Sequence, residues 1–249
     1  MNYITPSIFP DSIICAYSTK TYGEVAPFRE RGDGLTDMLS EETIVNRDVF
    51  SGDAGISLQE IVQLKQFHSD KVVDVSSANA GTGYVDEADA MITDEPGVAL
   101  SLFTSDCLPV FFYDPVRNVI AVAHAGWRGV YSEILLKTIA KMKKNHKSAV
   151  ADLWVWIGPS VSGKSYCFGI EHFNDSPANA YFESMGGITR TEENFCVDLK
   201  QVALAQLIGS GVSRDQIEIS DIDTKTDERF FSYQDGDRSN NMGIIMMQN

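Results

Sequence analysis

Basic charge is scarce in this chain. Its 249 residues carry 20 Lys and Arg against 35 Asp and Glu, a formal net charge of −15. Nucleic acid and anionic membrane would repel such a surface, so a non-specific grip on either is excluded. An anionic small molecule is not excluded, because a few local cations and backbone N–H groups outweigh acidic residues lying beyond a Debye length. Long apolar runs are missing as well, and no stretch approaches the roughly 18 residues of a membrane span. The opening MNYITPSIFPDSIICAYSTK has no basic start leading into an apolar core, so it does not read as a secretory signal. The four cysteines, Cys15, Cys107, Cys167 and Cys196, show no CxxC spacing. They do not look like a disulfide framework. The expectation is a soluble, cytoplasmic protein with free thiols, in which any metal site draws ligands from distant parts of the chain. Histidine is also sparse, at four residues with no HxH pair, which argues against a coupled multicopper centre.

What is present is ordinary globular material. A hydrophobic fraction of 43% over 249 residues suffices for a substantial core, and no repeat or low-complexity linker interrupts it. Residues 1–249 are expected to form a single domain. SIICAYS (12–18) reads as a strand. SEETIVNRDVF (40–50) reads as a short helix, with an acidic start and Ile44, Val45 and Val49 recurring along it. EIVQLKQFHSDKVVDV (60–75) alternates and reads as one strand with Gln66 and His68 on the same face. ADAMITDEPGVALSLFTSDCLPVFFYDPVRNVIAVAHAGW gives short strand-like runs separated by Pro and Gly. From Val130 to about Lys144 the period becomes helical. ADLWVWIGPS is a buried strand, and DLKQVALAQLIGSGV is a helix capped by Asp198 and stopped by Gly209 or Gly211. RFFSYQ and MGIIMM read as closing strands. Strands outnumber helices, and their connections are too short for a βαβ repeat, so a doubly wound sheet is disfavoured.

Chemistry concentrates in TSDCLPVFFYDPVRNVIAVAHAGWRG (104–129). Two apolar runs flank a turn, with Cys107 ahead of the first and His124 at the end of the second. HAGWRG reads as strand, turn and helix start, a place where free N–H groups and the helix dipole favour anions. Gly126 and Gly129 permit close approach, and Arg128 offers a fork of donors for phosphate or carboxylate. The plain structural alternative is a tight packing turn with a solvated Arg. A lone cysteine at a strand start is more often a small core residue than a reactive one, and each of His68 and His124 alone is more often a satisfied polar group than a ligand. Two His and one Cys nevertheless make a known three-ligand catalytic zinc set. Sequence spacing does not show that the three meet.

QFHSDKV, ADAMITDEPGVALSLFTSDCLPVFFYDP, VIAVAHAGWRG, IGPSV…Y and RFFSY together resemble the YfiH/laccase-domain family, once called polyphenol oxidases and described more recently as purine nucleoside phosphorylases. The resemblance spans about residues 60–235 and is strongest over 88–129. It implies an α/β (α+β type) fold, a layered α/β/β/α sandwich with mixed sheets. It also implies a zinc ion held by His68, Cys107 and His124, with Gln66 in the family's Q-x-H and Asp106 in its D-C. The match is incomplete at two places. STKTYGEVAPF puts Lys20 where an Arg is expected and lacks a double glycine, and Gln234 replaces an Arg after RFFSY. Both departures bear on phosphate and ribose handling more than on metal binding.

The expected activity is zinc-dependent phosphorolysis of adenosine or inosine, with adenosine deamination as a second reaction. Asp106, Arg128 and Gln66 are the catalytic candidates, Asp106 as orienter of a ligand histidine or as proton acceptor. Lys20, Arg47, Gly126, Arg128 and Gly129 are the phosphate or substrate candidates. The partners are small molecules, a purine nucleoside and phosphate. Alternatives are a cysteine hydrolase with Cys107 as nucleophile and His124 as base, and a metal-binding scaffold with a degraded substrate site.

Overall fold

A computed structural model describes residues 2–26, 40–81, 83–174 and 176–249. In chain order the strands are β1 (Tyr3–Ile4), β2 (Ile13–Ser18), β3 (Ile61–Lys65), β4 (Val72–Asp74), β5 (Tyr84–Glu87), β6 (Ala90–Thr93), β7 (Ala99–Thr104), β8 (Leu108–Asp114) and β9 (Val119–Ala125). They continue with β10 (Trp154–Ile157), β11 (Cys167–Gly169), β12 (Ile188–Arg190), β13 (Asn194–Val197), β14 (Ile217–Ile219) and β15 (Asn241–Met247). The helices are α1 (Glu41–Asp53), α2 (Trp127–Tyr131), α3 (Ile134–His146), α4 (Pro177–Ser184) and α5 (Leu199–Ser210).

Two mixed six-stranded sheets form the middle of the molecule, one in the order β1-β2-β15-β7-β3-β5 and the other β14-β10-β8-β9-β6-β4. The hairpin β8–β9 explains how they stack. All seven residues of each strand are buried, so both faces must be covered, which is why these runs are almost continuously apolar. The side chains sort by strand parity. Phe111, Tyr113, Ile120 and Val122 pack toward Val62, Leu100, Leu102 and Ile245 of the first sheet. Leu108, Val110, Phe112, Ala121 and Ala123 pack instead under α3 and α5, against Leu135, Ile139, Val202 and Leu207. On the outer face of the first sheet, Phe50 of α1 meets Ala16, Ile61, Ala99 and Ile244. The layers are therefore helix, sheet, sheet, helix, and a small third sheet, β11-β13-β12, lies beside α4 and α5.

Several local expectations need correction. The stretch 60–75 is two strands of different sheets: β3 ends at Lys65 in the first and β4 starts at Val72 in the second. His68 sits on the crossing between them with φ 63°, so no shared strand face relates it to Gln66. RFFSYQ is a turn with a 3-10 segment at Tyr233–Asp235, not a strand. The helical region after Gly126 is broken, because Glu133 adopts a left-handed conformation between α2 and α3. Helix α1 forms, with Ser40 accepting a hydrogen bond from the Thr43 N–H at 3.0 Å. Its apolar Ile44, Val45 and Val49 point to solvent, while Thr43, Arg47, Phe50 and Ser51 face inward. The cysteines are not all free: Cys167 and Cys196 are a disulfide across β11 and β13, while Cys15 and Cys107 remain thiols.

Candidate metal centre

The parity of β8 and β9 places the site. His124 shares the face of Ile120 and Val122, so it points between the two sheets from the penultimate position of β9, at the end away from the β8–β9 turn. Cys107 directly precedes β8 and shares the parity of Phe111 and Tyr113. His68 arrives from the crossing between sheets. One ligand atom from each of His68, Cys107 and His124 lies within 4.8 Å of the others. The two imidazoles meet edge to face, with centroids 4.7 Å apart. His124 is buried, Cys107 half-buried and His68 exposed, so the cluster has a protected floor and a solvent-facing side. It is the one group of this kind among the described residues.

Gly126 is needed here for steric reasons. A Cβ at that position would lie 2.7 Å from His68 Cδ2 and 2.9 Å from Cys107 Sγ. Any side chain would push the ligands apart. Gly129 has ordinary neighbours, its nearest contacts being Ile134 and the Ser69 carbonyl at 3.4 Å.

The residue that orients the cluster is Asp89, which the sequence reasoning did not single out. Its Oδ1 lies 2.7 Å from His124 Nδ1, leaving Nε2 of that ring toward Cys107. The same carboxylate accepts the N–H groups of His68 at 3.0 Å and Ser69 at 2.6 Å, and the Ser69 hydroxyl at 2.7 Å. Its backbone carbonyl accepts the His124 N–H at 2.7 Å. One buried carboxylate thus fixes the tautomer and direction of His124 and pins the loop carrying His68. A signal existed in the sequence. Asp89 stands between Ala88 and Ala90 at the head of the apolar strand Ala90–Thr93, and a charge in such surroundings needs partners.

The electrostatics follow. Burial alone would raise the Asp89 carboxyl, but the His124 and Ser69 contacts hold it down at about 2. Burial likewise opposes a thiolate at Cys107, yet the charge of His124 and hydrogen bonds from both histidines lower the thiol to about 6. Burial would lower His124; the facing thiolate and Asp89 raise it to about 10. The pocket favours a thiolate beside a cation, the electrostatic demand that a metal dication also satisfies. The donor set has the chemistry of a zinc site, and one of its three edges has a matching spacing. With Zn–N near 2.05 Å and Zn–S near 2.3 Å, a tetrahedral N–S edge is about 3.6 Å, and Cys107 Sγ lies 3.7 Å from His68 Nε2.

The other expected site residues fall elsewhere. Gln66 pairs with the backbone of Phe103, donating to its carbonyl and accepting its N–H, each at 2.8 Å. Its amide is spent on joining the end of β3 to β7, which removes it from proton transfer. Asp106 does not touch a ligand histidine. Its two carboxylate oxygens accept the Thr224 hydroxyl and the Gln234 N–H, each at 2.7 Å, its carbonyl accepts the Val161 N–H at 3.1 Å, and its φ is 87°. It holds the Cys107 loop against two others. Arg47 is buried, donating to the Val25 carbonyl and to Gln63 Oε1 at 2.6 Å and lying over the Phe103 ring; that packing role takes it away from phosphate.

Arg128 is exposed, stacks over Trp127 at 4.8 Å and has no hydrogen bond or ion pair among the described residues. The helix it belongs to starts at Trp127, before Gly129 rather than after it. Lys20 pairs with Asp237. Residues 27 and 28 at the end of STKTYGEVAPF lie outside the described residues. Tyr166 was also missed as a site neighbour. Burial first, then the charges of Cys107 and Asp106, raise its phenol to about 12, against the opposing pull of Arg128.

Comparison with known proteins places the chain in a family. Residues 19–248 match the family described as multi-copper polyphenol oxidoreductase laccase. The purine nucleoside phosphorylase YlmD of Bacillus subtilis is 28% identical over 227 residues, covering 88% of this chain and 82% of that protein. A purine nucleoside phosphorylase of Clostridium acetobutylicum is 31% identical over 180 residues, 72% of each. Among solved structures, Neisseria meningitidis protein NMB0706 superposes with a TM-score of 0.80 at 26% identity, covering 100% of both chains. With the family match running over almost its whole length, the chain belongs to the multi-copper polyphenol oxidoreductase laccase family, in which YfiH- and YlmD-type proteins are its relatives.

Proposed function

We propose that the protein is a zinc-dependent purine nucleoside phosphorylase that also deaminates adenosine. The observation that carries this reading is the convergence of His68, Cys107 and His124 with a half-open rim, on which Trp127 and Arg128 are exposed. The names of the relatives support a nucleoside as substrate. The family's copper label gains no support from the donors: His146 is taken by Asp74 and Asp94, and His172 lies in a separate 3-10 segment beside Glu171.

In phosphorolysis a phosphate oxygen forms a bond to C1′ of the ribose as the N-glycosidic bond breaks, and its electron pair leaves with the purine, which takes up a proton. Arg128, exposed and without a hydrogen bond or ion pair among the described residues, would hold that phosphate, and its guanidinium fork suits two oxygens at once. The exposed indole of Trp127 offers a flat face for the base. In deamination, water adds at the purine C6, and the amino group departs as ammonia after taking a proton. When bound, zinc would supply Lewis acidity at this point and make water acidic near neutrality. Asp89 keeps His124 aimed, and the residues around Cys107 exclude solvent from the floor.

Metal-loaded protein incubated with adenosine, inosine and methylthioadenosine, with and without phosphate, tests the reading. Base and ribose 1-phosphate should form only with phosphate, and inosine should form from adenosine without it. Absence of both products with all three nucleosides contradicts the proposal. A second reading, a cysteine hydrolase, is favoured by one observation: Cys107, His124 and Asp89 are in the order nucleophile, base and orienter. Chelation separates the two, since a thiol hydrolase keeps its activity without metal.

A further inference from the structure

Helix α2 is too short to hold itself. Its five residues, Trp127–Tyr131, fall well below the length at which an isolated helix is stable in water. Its N-cap Gly126 has no side chain to cap the first turn. Yet it carries Trp127 and Arg128, the two exposed side chains that follow His124. Groups outside the helix must fix where they point.

The first end is fixed by the cluster. Gly126 lies so close to His68 and Cys107 that a Cβ there would stand 2.7 and 2.9 Å from them, and its carbonyl accepts the Val130 N–H at 2.9 Å. The second end is held by residues far along the chain. Gln206, buried in α5, donates from Nε2 to the Val130 carbonyl at 2.7 Å and to the Tyr181 hydroxyl at 2.9 Å. Tyr181 of α4 donates in turn to Glu133 Oε1 at 2.9 Å, and its ring meets Tyr131 edge to face at 5.7 Å. Glu133 has the left-handed φ of 61° that separates α2 from α3.

The direction of every bond in this chain is forced. A main-chain carbonyl only accepts, so the Gln206 amide must turn Nε2 toward Val130. Both its hydrogens are then used, the tyrosine oxygen accepts one of them, and the phenol proton is left for the carboxylate. Gln206 Oε1 is buried and has no partner among the described residues, a cost that an apolar side chain of this size would avoid. What the amide adds is the tie between α2, α4 and α5.

We propose that Gln206 and Tyr181 are positioning residues: acting through Val130 and Glu133, they set the direction in which α2 presents Trp127 and Arg128 beside the metal cluster. What those two side chains hold, a base and a phosphate, rests on the phosphorylase reading; the placement of the helix does not. Released from this pair, α2 stays attached at Gly126 and pivots there. The ligands keep their geometry, while the indole and the guanidinium lose theirs.

Fluorine NMR of full-length, zinc-loaded protein labelled with fluorotryptophan reads that placement. Trp127, Trp154 and Trp156 are its tryptophans, and Trp127→Phe assigns the line of interest. Tyr181→Phe removes one hydroxyl and keeps the ring against Tyr131. In this variant the Trp127 line should shift or broaden, the Trp154 and Trp156 lines should stay, and zinc affinity by chelator competition should match the parent. Gln206→Met, similar in length and apolar, should do the same, and it serves if the tyrosine variant does not fold. On the phosphorylase reading both variants should also raise KM for nucleoside and phosphate about three- to tenfold with kcat nearly constant, the size expected for losing one hydrogen bond that holds the binding groups. An unmoved Trp127 line in both variants, movement of all three lines together, or a loss of zinc affinity overturns the proposal. So does a fall in kcat at constant KM. Absence of turnover in the native protein removes the activity reading and leaves the fluorine result standing.

Discussion

The histidine–cysteine cluster and the cations outside it handle charge in opposite ways. On the first, every polar atom serves one arrangement: Asp89 aims His124 and gathers the loop of His68, Gly126 leaves room, and Cys107 is pressed toward its thiolate form. On the second, cations are cancelled from within the chain, Lys20 by Asp237 and Arg229 by Asp227, and Arg128 lies against Trp127. The contrast separates an interlocked cluster from surface charges that single substitutions can retune.

Removing Asp89 should break the comparison most severely. Asp89→Ala leaves His124 buried without its partner and frees three N–H groups of residues 67–69. Breaking a buried pair of this kind costs about 3–5 kcal/mol, and losing a ligand-orienting carboxylate lowers metal affinity by roughly 10- to 100-fold. Urea denaturation of the metal-free protein and zinc titration with a competing chelator measure the two effects. Wild-type values in both would show that Asp89 does not organise the site.

The disulfide comes next. It joins residues 29 apart in the small sheet next to Tyr166, and closing a loop of that length in the unfolded chain corresponds to about 3–4 kcal/mol. Cys167→Ser with Cys196→Ser should lower stability by that order while leaving zinc affinity unchanged, since neither sulfur belongs to the ligand cluster. The bond also sharpens the question of compartment, because reducing cytoplasm keeps such thiols open. Mass spectrometry of protein alkylated in lysing cells distinguishes the two states.

Gly126→Ala should act on the rigid side alone. The added methyl meets His68 and Cys107 at 2.7 and 2.9 Å, so the ligands must separate. The protein should fold, with a stability loss of about 1–3 kcal/mol from overpacking, and fail to hold zinc at stoichiometry. Full metal content in this variant would mean that the cluster can rearrange. The smallest effect on structure belongs to Arg128→Ala, an exposed change worth within about 0.5 kcal/mol of stability. It should nevertheless raise the phosphate KM of phosphorolysis and leave deamination almost untouched. Equal changes in both reactions would place Arg128 outside the phosphate path.

The sequence showed one side of this comparison far better than the other. The apolar runs around the Asp114 turn predict a buried hairpin because their composition leaves no solvent face, and strand parity then delivers Cys107 and His124 to the same layer. Asp198 and Gly211 mark α5 because capping chemistry is local. Asp89 was harder to see, since its partners are 21 and 35 residues away and nothing local announces them. Asp106 misled for the opposite reason. It adjoins Cys107, yet its left-handed backbone turns its carboxylate toward Thr224 and Gln234. Periodicity over 60–75 hid the crossing between sheets because β3 and β4 are both apolar and only the short QFHSD connection divides them. Arg47, expected to help hold phosphate, is buried because the polar face of α1, rather than its valines, turns inward. The Cys167–Cys196 bond arises from the pairing of β11 with β13, which no cysteine spacing reveals.

Metal content measured by elemental analysis, on the native protein and on His68→Ala, Cys107→Ala and His124→Ala, tests the central claim most directly. One zinc per chain in the native protein, lost in each of the three variants, is the predicted result. Stoichiometric metal retained in Cys107→Ala, or three to four copper atoms per native chain, would contradict the account.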